Sequence, residues 1–316
     1  MPGRRTYEGK NDECAGGEAV LRWAGGKSQL IGQLEGLFPR DLAKWDGFTY
    51  VEPFLGGGSM LFHMLEKYKN IRQAVVNDMN GSLVAAYRAV RDCPADLISK
   101  LKRLRAGYLV CPDEAARREF YLKIRDAYNA RGSDQAETAA FFIFLNKTCF
   151  NGLHRVNRKG LFNVPFGKAA KPAICDEETI MADSALLRNV QILNGDFADV
   201  YGRVEGRAFF YFDPPYRPLP NAGGFTAYQK GGFDDGQQER LAGFCRTLDA
   251  AGHKWLLSNS DPANTDPADR FFDRIFSGFD INRVLAGRMI NSDGKGRGKV
   301  TELAIRNYRG NPAERI

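Results

Sequence analysis

Four consecutive residues, Asp213-Pro214-Pro215-Tyr216, follow the apolar run Phe209 to Phe212. A continuous apolar run of this kind suits a strand covered on both faces. A Pro-Pro turn at its end has a restricted backbone and no N–H groups of its own, so it turns a carboxylate, a carbonyl and an aromatic ring toward one pocket. An amino group on a planar base calls for that set. The Asp213 carboxylate and the Pro214 carbonyl can each accept one hydrogen, while Tyr216 stacks on the ring. The competing account is a purely structural turn.

A second group of residues points to the partner of that base. Val51-Glu52-Pro53-Phe54-Leu55-Gly56-Gly57-Gly58 closes a predicted strand with a carboxylate, and its three glycines let the backbone pass close to a ligand before a helix begins. Asp78 stands twenty residues beyond Gly58, at the end of the next predicted strand, where an acidic side chain accepts hydrogen bonds from ribose hydroxyls. A plain strand-to-helix turn would explain the glycines alone; with Asp78, a nucleoside-containing cofactor fits better. Because Gly56, Gly57 and Gly58 are consecutive, the spacing G-x-G-x-x-G is absent and a dinucleotide is disfavoured.

Other chemistries find no support. Gly25-Gly26-Lys27-Ser28 ends like a phosphate loop, but Leu21 occupies the position of its first glycine. Attack by a cysteine on a pyrimidine would call for a Pro-Cys pair, whereas Cys93-Pro94 and Cys111-Pro112 run the other way. The three histidines, His63, His154 and His253, lack a plausible nucleophile beside them, and no metal site is expected. The six cysteines show no C-x-x-C spacing, as expected of reduced thiols in a cytoplasm.

An α/β pattern must position these residues. Strands are predicted at Phe48 to Val51, Gln73 to Asn77, Val190 to Leu193, Ala208 to Phe212 and Lys254 to Leu257, with helices at Ser59 to Tyr68 and Gln237 to Ala250. Helical periodicity runs from Leu83 to about Asn146, so a mostly helical insert is expected to begin near Gly81. The expected organisation is a tail over residues 1–18, a catalytic domain from 19–80 and 172–316, and an inserted domain over 81–171.

The chain has 316 residues, of which 43% are apolar and 26% charged, as in ordinary globular proteins. Its longest apolar run, Ala139 to Leu145, falls far short of the roughly 18 residues that cross a bilayer. The first residues are polar, with no secretory signal, and a cytoplasmic location is expected. The net charge of +7 is distributed unevenly. Between Glu137 and Asp176 no acidic residue occurs, while Lys147, Arg155, Arg158, Lys159, Lys168 and Lys171 do. That gap reads as the footprint of a polyanion, the alternative being a solvated basic face. A second cluster, Arg283, Arg288, Lys295, Arg297 and Lys299, lies in a Gly-rich stretch that could equally be a mobile hairpin loop.

Read together, these strings resemble the Dam-type DNA adenine-N6 methyltransferases of the α-group, D12 class. The resemblance is carried by Leu21-Arg22-Trp23-Ala24-Gly25-Gly26-Lys27, Val51 to Gly58, Asp78, Phe150-Asn151-Gly152-Leu153-His154-Arg155, Phe162 to Lys168, Gly195-Asp196-Phe197, Asp213 to Tyr216 and Arg297 to Leu303. It implies a Rossmann-like catalytic domain, a target-recognition insert bearing a β-hairpin, and S-adenosyl-L-methionine as methyl donor, with no metal. Trp23, Lys27, Glu52, Phe54, Gly56, Asp78, Asp196 and Phe197 would hold that donor, and Asp213, Pro214 and Tyr216 the adenine. Related enzymes acting on the cytosine amino group more often have Ser where Asp213 stands. Arg22, Phe150, Asn151, Leu153, Arg155, Lys168, Arg297 and Lys299 would contact double-stranded DNA, Arg155 through a guanine edge. The family often has Tyr in place of Phe150 and Lys in place of Arg22. The resemblance further implies GATC as target, a monomer in solution and work on the nucleoid DNA of a prokaryote or phage. A catalytically silent DNA-binding regulator and an RNA adenine methyltransferase are the alternatives.

Overall fold

Apolar and aromatic runs build the centre of the molecule, whose computed structural model describes residues 21, 30–132, 134–217, 233–287 and 299–309. Strands β1 (Phe48–Glu52), β2 (Ile71–Asn77), β3 (Val190–Leu193), β4 (Ala208–Phe212), β5 (Lys254–Ser260), β6 (Asp280–Gly287) and β7 (Lys299–Arg306) form one sheet in the order β3-β2-β1-β4-β5-β7-β6. Strands β1 to β5 run parallel, and β7 lies antiparallel between β5 and β6. The fold is therefore Rossmann-like. Every residue of β1 and β4 is buried, as the uninterrupted apolar sequence of β4 requires of a strand covered on both sides; β1 buries Thr49 and Glu52 along with its apolar residues. Side chains alternate between the faces: Tyr50, Val76, Phe209 and Tyr211 enter one apolar layer, and Val51, Val75, Phe210 and Phe212 the other.

Helices α1 (Ile31–Glu35), α2 (Ser59–Lys67), α3 (Gly81–Asp92), α4 (Pro94–Leu109), α5 (Glu114–Ala130), α6 (Gln135–Thr148), α7 (Glu177–Leu187), α8 (Asp235–Ala250) and α9 (Phe271–Ile275) complete the described fold. Five begin at an Asn or Asp whose side chain accepts from the first-turn backbone: Asn80, Asp113, Asp134, Asp176 and Asp234. The apolar run Ala139 to Leu145 belongs to α6. Its Phe142, Ile143, Phe144 and Leu145 are all buried, because α3, α4 and α5 pack around it. No described helix is long and apolar enough to cross a membrane.

The helical stretch after β2 shares its core with the sheet, since one apolar cluster runs from Tyr50 and Phe209 through α3 to Phe142 and Phe144. Arg88 and Arg91 of α3 donate to the carbonyls of Ile192 and Val190, at 2.7 and 2.8 Å, and tie the helix to β3. Beyond α6 the chain makes an irregular antiparallel hairpin, bridged at Cys149–Phe166 and Val156–Phe162. Helix α5 anchors it: Tyr121 donates to the Val164 carbonyl at 2.7 Å, and Asn129 brackets the Phe162 backbone at 2.8 and 3.0 Å. At the tip, the Asn157 side chain accepts from Lys159 and Leu161, closing a turn that holds Gly160 at φ +72°. The second basic cluster includes strand residues: Arg283 sits in β6 and pairs with Asp261 at 2.9 Å.

Candidate active site

The sheet order reverses between β1 and β4, and in open α/β sheets ligands bind at the carboxyl ends of the strands beside such a reversal. Polar groups gather there in a row: Asp196 after β3, Asp78 after β2, Glu52 closing β1, Asp213 after β4 and Ser258 near the end of β5. Asn77 laces the loops together, donating to the carbonyls of Pro53 and Gly195, both at 3.1 Å.

Glu52 is only 2% exposed, and Tyr50 donates to its Oε2 at 2.8 Å. Burial pushes its carboxyl well above the usual range, opposed by the Tyr50 bond and reinforced by the charges of Asp213 and Asp78. Asp78 accepts from the backbone N–H of Gly56 at 3.0 Å and of Asn80 at 2.8 Å. Burial raises its pKa, and these two bonds restrain the rise. The glycine loop bends close to them: Gly58 has φ +74°, and a Cβ there would come within 2.5 Å of the Tyr87 hydroxyl.

Asp196 caps the short 3-10 helix Phe197–Arg203, accepting from Ala198 N at 2.9 Å through Oδ1. Its Oδ2 takes both terminal nitrogens of Arg240, from α8, one at 3.0 Å. The same guanidinium lies 4.1 Å over the Phe197 ring. Phe54 packs against Phe197 at 5.5 Å and Phe212 at 6.5 Å, giving this end of the row an aromatic floor.

Asp213 is oriented from the neighbouring strand. Ser258 Oγ donates to Asp213 Oδ1 at 3.0 Å and lies 3.2 Å from the Tyr211 hydroxyl; with the serine proton on Asp213, the tyrosine must be the donor of the second bond. Tyr216 donates to Glu302 Oε2 at 2.6 Å, and burial with the nearby charges of Asp213 and Glu302 holds its phenol far above the ordinary range. Gln238 donates to the Pro215 carbonyl at 3.1 Å, and Arg217 is gripped by Asp235 at 2.7 Å and Asp269 at 2.6 Å, so the turn is clamped on both sides.

The hairpin stands over the same end of the sheet. His154 Nδ1 meets Asn80 Nδ2 at 3.2 Å, and Asn80 also caps α3 directly after β2. Phe150, Leu153 and Val156 of the hairpin and Met79, next to Asp78 in the chain, are exposed, 50%, 41%, 47% and 74% respectively. Asn151 takes a left-handed conformation at φ +53°. Arg155 bonds Asn163 at 2.8 and 3.0 Å, and Lys168 pairs with Glu114 at 3.0 Å.

The structure thus brings together Glu52, Phe54, Gly56, Asp78, Asp196, Phe197, Asp213, Pro214 and Tyr216, with Phe150, Asn151, Leu153 and Arg155 on the hairpin. Lys168 lies at its base. Arg22, Trp23, Lys27 and Arg297 fall outside the described residues, and Lys299 begins β7. Sequence reasoning missed Tyr50, Ser258, Glu302 and Arg240. Among the described residues no group of His, Cys, Asp and Glu could hold a metal ion.

Comparison with known proteins gives the site a context. The family profile described as D12 class N6 adenine-specific DNA methyltransferase matches residues 23–290. A Type II methyltransferase, M.MjaIII of Methanocaldococcus jannaschii, is 45% identical over 91% of this chain and 98% of its own length. The DNA adenine methylase of Vibrio cholerae is 33% identical over 90% of the chain and 94% of its own. That of Escherichia coli is 30% identical over 90% and 93%.

Proposed function

Because the chain belongs to the D12 class N6 adenine-specific DNA methyltransferases, we propose that it transfers the methyl group of S-adenosyl-L-methionine to an adenine flipped out of duplex DNA, within GATC. The observation that carries this reading is the aim of Asp213: a Tyr211–Ser258 relay holds one of its oxygens at the strand end, next to the Glu52–Asp78 row.

The residues present fit that cofactor. Asp78 suits a ribose diol, the aromatic floor of Phe54 and Phe197 suits a purine, and the Asp196 carboxylate suits its amino group. Glu52, whose burial disfavours its charge, gains an ionised state when a cationic amino-acid group comes beside it. When bound, S-adenosyl-L-methionine supplies a methyl group activated by a sulfonium.

The chain's own residues prepare the nucleophile. The Asp213 carboxylate and the Pro214 carbonyl accept the hydrogens of the adenine amine, localising its lone pair, which is otherwise delocalised into the ring. Tyr216, steadied by Glu302, stacks on the base. Positioning and electrostatics supply the acceleration, with no covalent intermediate on the enzyme. The exposed side chains of Phe150 and Leu153 suit apolar contacts in DNA, with Asn151 beside them in the space the adenine leaves. Arg155 is the candidate for the guanine edge and must leave Asn163 to reach it. We take residues 81–171 as the target-recognition part, and the genome of a prokaryote or phage as the substrate in the cell.

Single-molecule sequencing of DNA from cells expressing the protein tests the proposal. N6-methyladenine confined to GATC is expected. A different methylated motif would overturn the specificity, and no methylated adenine would overturn the activity.

A further inference from the structure

The opposite edge of the sheet carries a second concave site that methyl transfer does not use. Where β1, β4 and β5 begin and β7 ends, a cavity of about 290 Å³ opens beside the loop 36–45. Arg40, Arg207, Lys254, Arg306 and Arg309 line it, against the single carboxylate of Asp41. Strands β1 and β4 are five residues long, so at about 3.3 Å per residue roughly 17 Å of sheet separates this cavity from Glu52 and Asp213.

Two of the five cations are held in place. Arg306 is 2% exposed, its Nε donating to Asp280 at 3.0 Å and its Nη1 to the Leu37 carbonyl at 2.9 Å. Arg207 lies flat on the Trp45 indole, 3.3 Å from its centroid, with Asp41 at a loose 3.9 Å. A solubilising surface lets long basic side chains extend into water; here one guanidinium is buried and another is stacked. Two further donors of lining residues, Trp45 Nε1 and the Tyr308 hydroxyl, are buried without an acceptor among the described residues. Fixed like charges around one cavity repel, and planar guanidiniums match the paired oxygens of phosphoryl groups.

We propose that this cavity binds a small polyphosphate anion, such as free triphosphate or the phosphates of a nucleotide. The phosphodiester backbone of DNA offers the same chemistry, but the cavity is near the lower end of small-molecule pockets, about 300 Å³. It also sits on the edge facing away from the carboxylate row.

The test is thermal unfolding of the full chain with 1 mM inorganic triphosphate, with sodium chloride at the same ionic strength as control. The expected result is a rise in Tm of about 2 °C or more with triphosphate alone. Calorimetry should give a Kd at least about fivefold weaker in each of Arg207→Ala, Lys254→Ala and Arg309→Ala, with DNA methylation unchanged. Arg309 is exposed, so its removal leaves folding intact. A Tm rise reproduced by sodium chloride, or the parent's affinity kept in all three variants, would overturn the site. Displacement of triphosphate by duplex DNA would overturn the small-ligand assignment.

Discussion

In the proposed reaction Asp213 acts only if its carboxylate is aimed, and the side chain that bonds it, Ser258, comes from the adjacent strand. We predict that Ser258→Ala lowers kcat by roughly 10- to 100-fold with cofactor and DNA affinity kept, because a small misplacement costs rate rather than binding. A matching loss of DNA affinity would contradict that. Arg240 exerts the opposite influence. Asp196 commits Oδ1 to its helix cap and Oδ2 to Arg240, whose guanidinium covers Phe197 as a purine would. The pair is about two-fifths exposed on each side and worth at most about 1 kcal/mol. Arg240→Ala should therefore bind S-adenosyl-L-methionine up to about fivefold more tightly by calorimetry; weaker binding would assign Arg240 to holding the adenine. Glu52 links the site to pH. Its folded pKa lies well above the 4.5 of an ordinary Glu, so the folded chain keeps a proton that the unfolded chain sheds. Its contribution to stability is complete below about pH 4.5 and declines as pH rises toward the folded value; Asp78 acts with the same sign. Without cofactor at pH 8, Glu52→Gln should melt higher than the parent and lose the cofactor-induced rise in Tm. Equal melting of the two proteins across pH 5 to 8 would refute this.

At the scale of elements, legibility followed from how continuous each signal is along the chain. Strand β4 reads most clearly as an unbroken apolar run, while β1, β2, β3 and β5 show shorter apolar runs with polar residues within or beside them. The loops after β1 and β4 are marked by their Gly and Pro residues. Strands β6 and β7 carry polar residues that break the pattern: Asp280 accepts from Asn282 and, across the pair, from Arg306, while Arg283 and Glu302 reach Asp261 and Tyr216. Ser258 and Glu302 were invisible for a related reason. They reach the site only through sheet order, β5 lying beside β4 and Glu302 opposite Ser260. Arg240 reads as an ordinary polar position on α8. The hairpin depends on Asn80, which caps α3 through two donors and touches His154. Asn80→Ala should cost about 1 kcal/mol of stability, seen as a Tm lower by about 2–4 °C, and should weaken DNA binding more than kcat; an unaltered DNA affinity would detach the hairpin from this anchor. Arg155→Ala should relax the sequence preference by about 1–3 kcal/mol, which an unchanged profile of methylated sites would contradict.

For the whole molecule, the surplus of +7 is concentrated in two described places: the hairpin with its acid-free flanks, and the cavity at the far edge of the sheet. Only the first lies beside the carboxylate row. If about six charges of this hairpin region and of the C-terminal basic stretch meet phosphates, log affinity for DNA should fall against log salt with a slope near −5. A flat response would make the net charge incidental to DNA binding. The central claim, that Asp213 directs methyl transfer to the adenine amine, has its own direct measurement. The parent and Asp213→Ala are incubated with methyl-tritiated S-adenosyl-L-methionine and a GATC duplex, and the digested nucleosides are separated. The account predicts label in N6-methyl-2′-deoxyadenosine for the parent and, for the variant, a loss of at least about a thousandfold with DNA and cofactor still bound. Label in another nucleoside, or near-parental transfer by the variant, would contradict it.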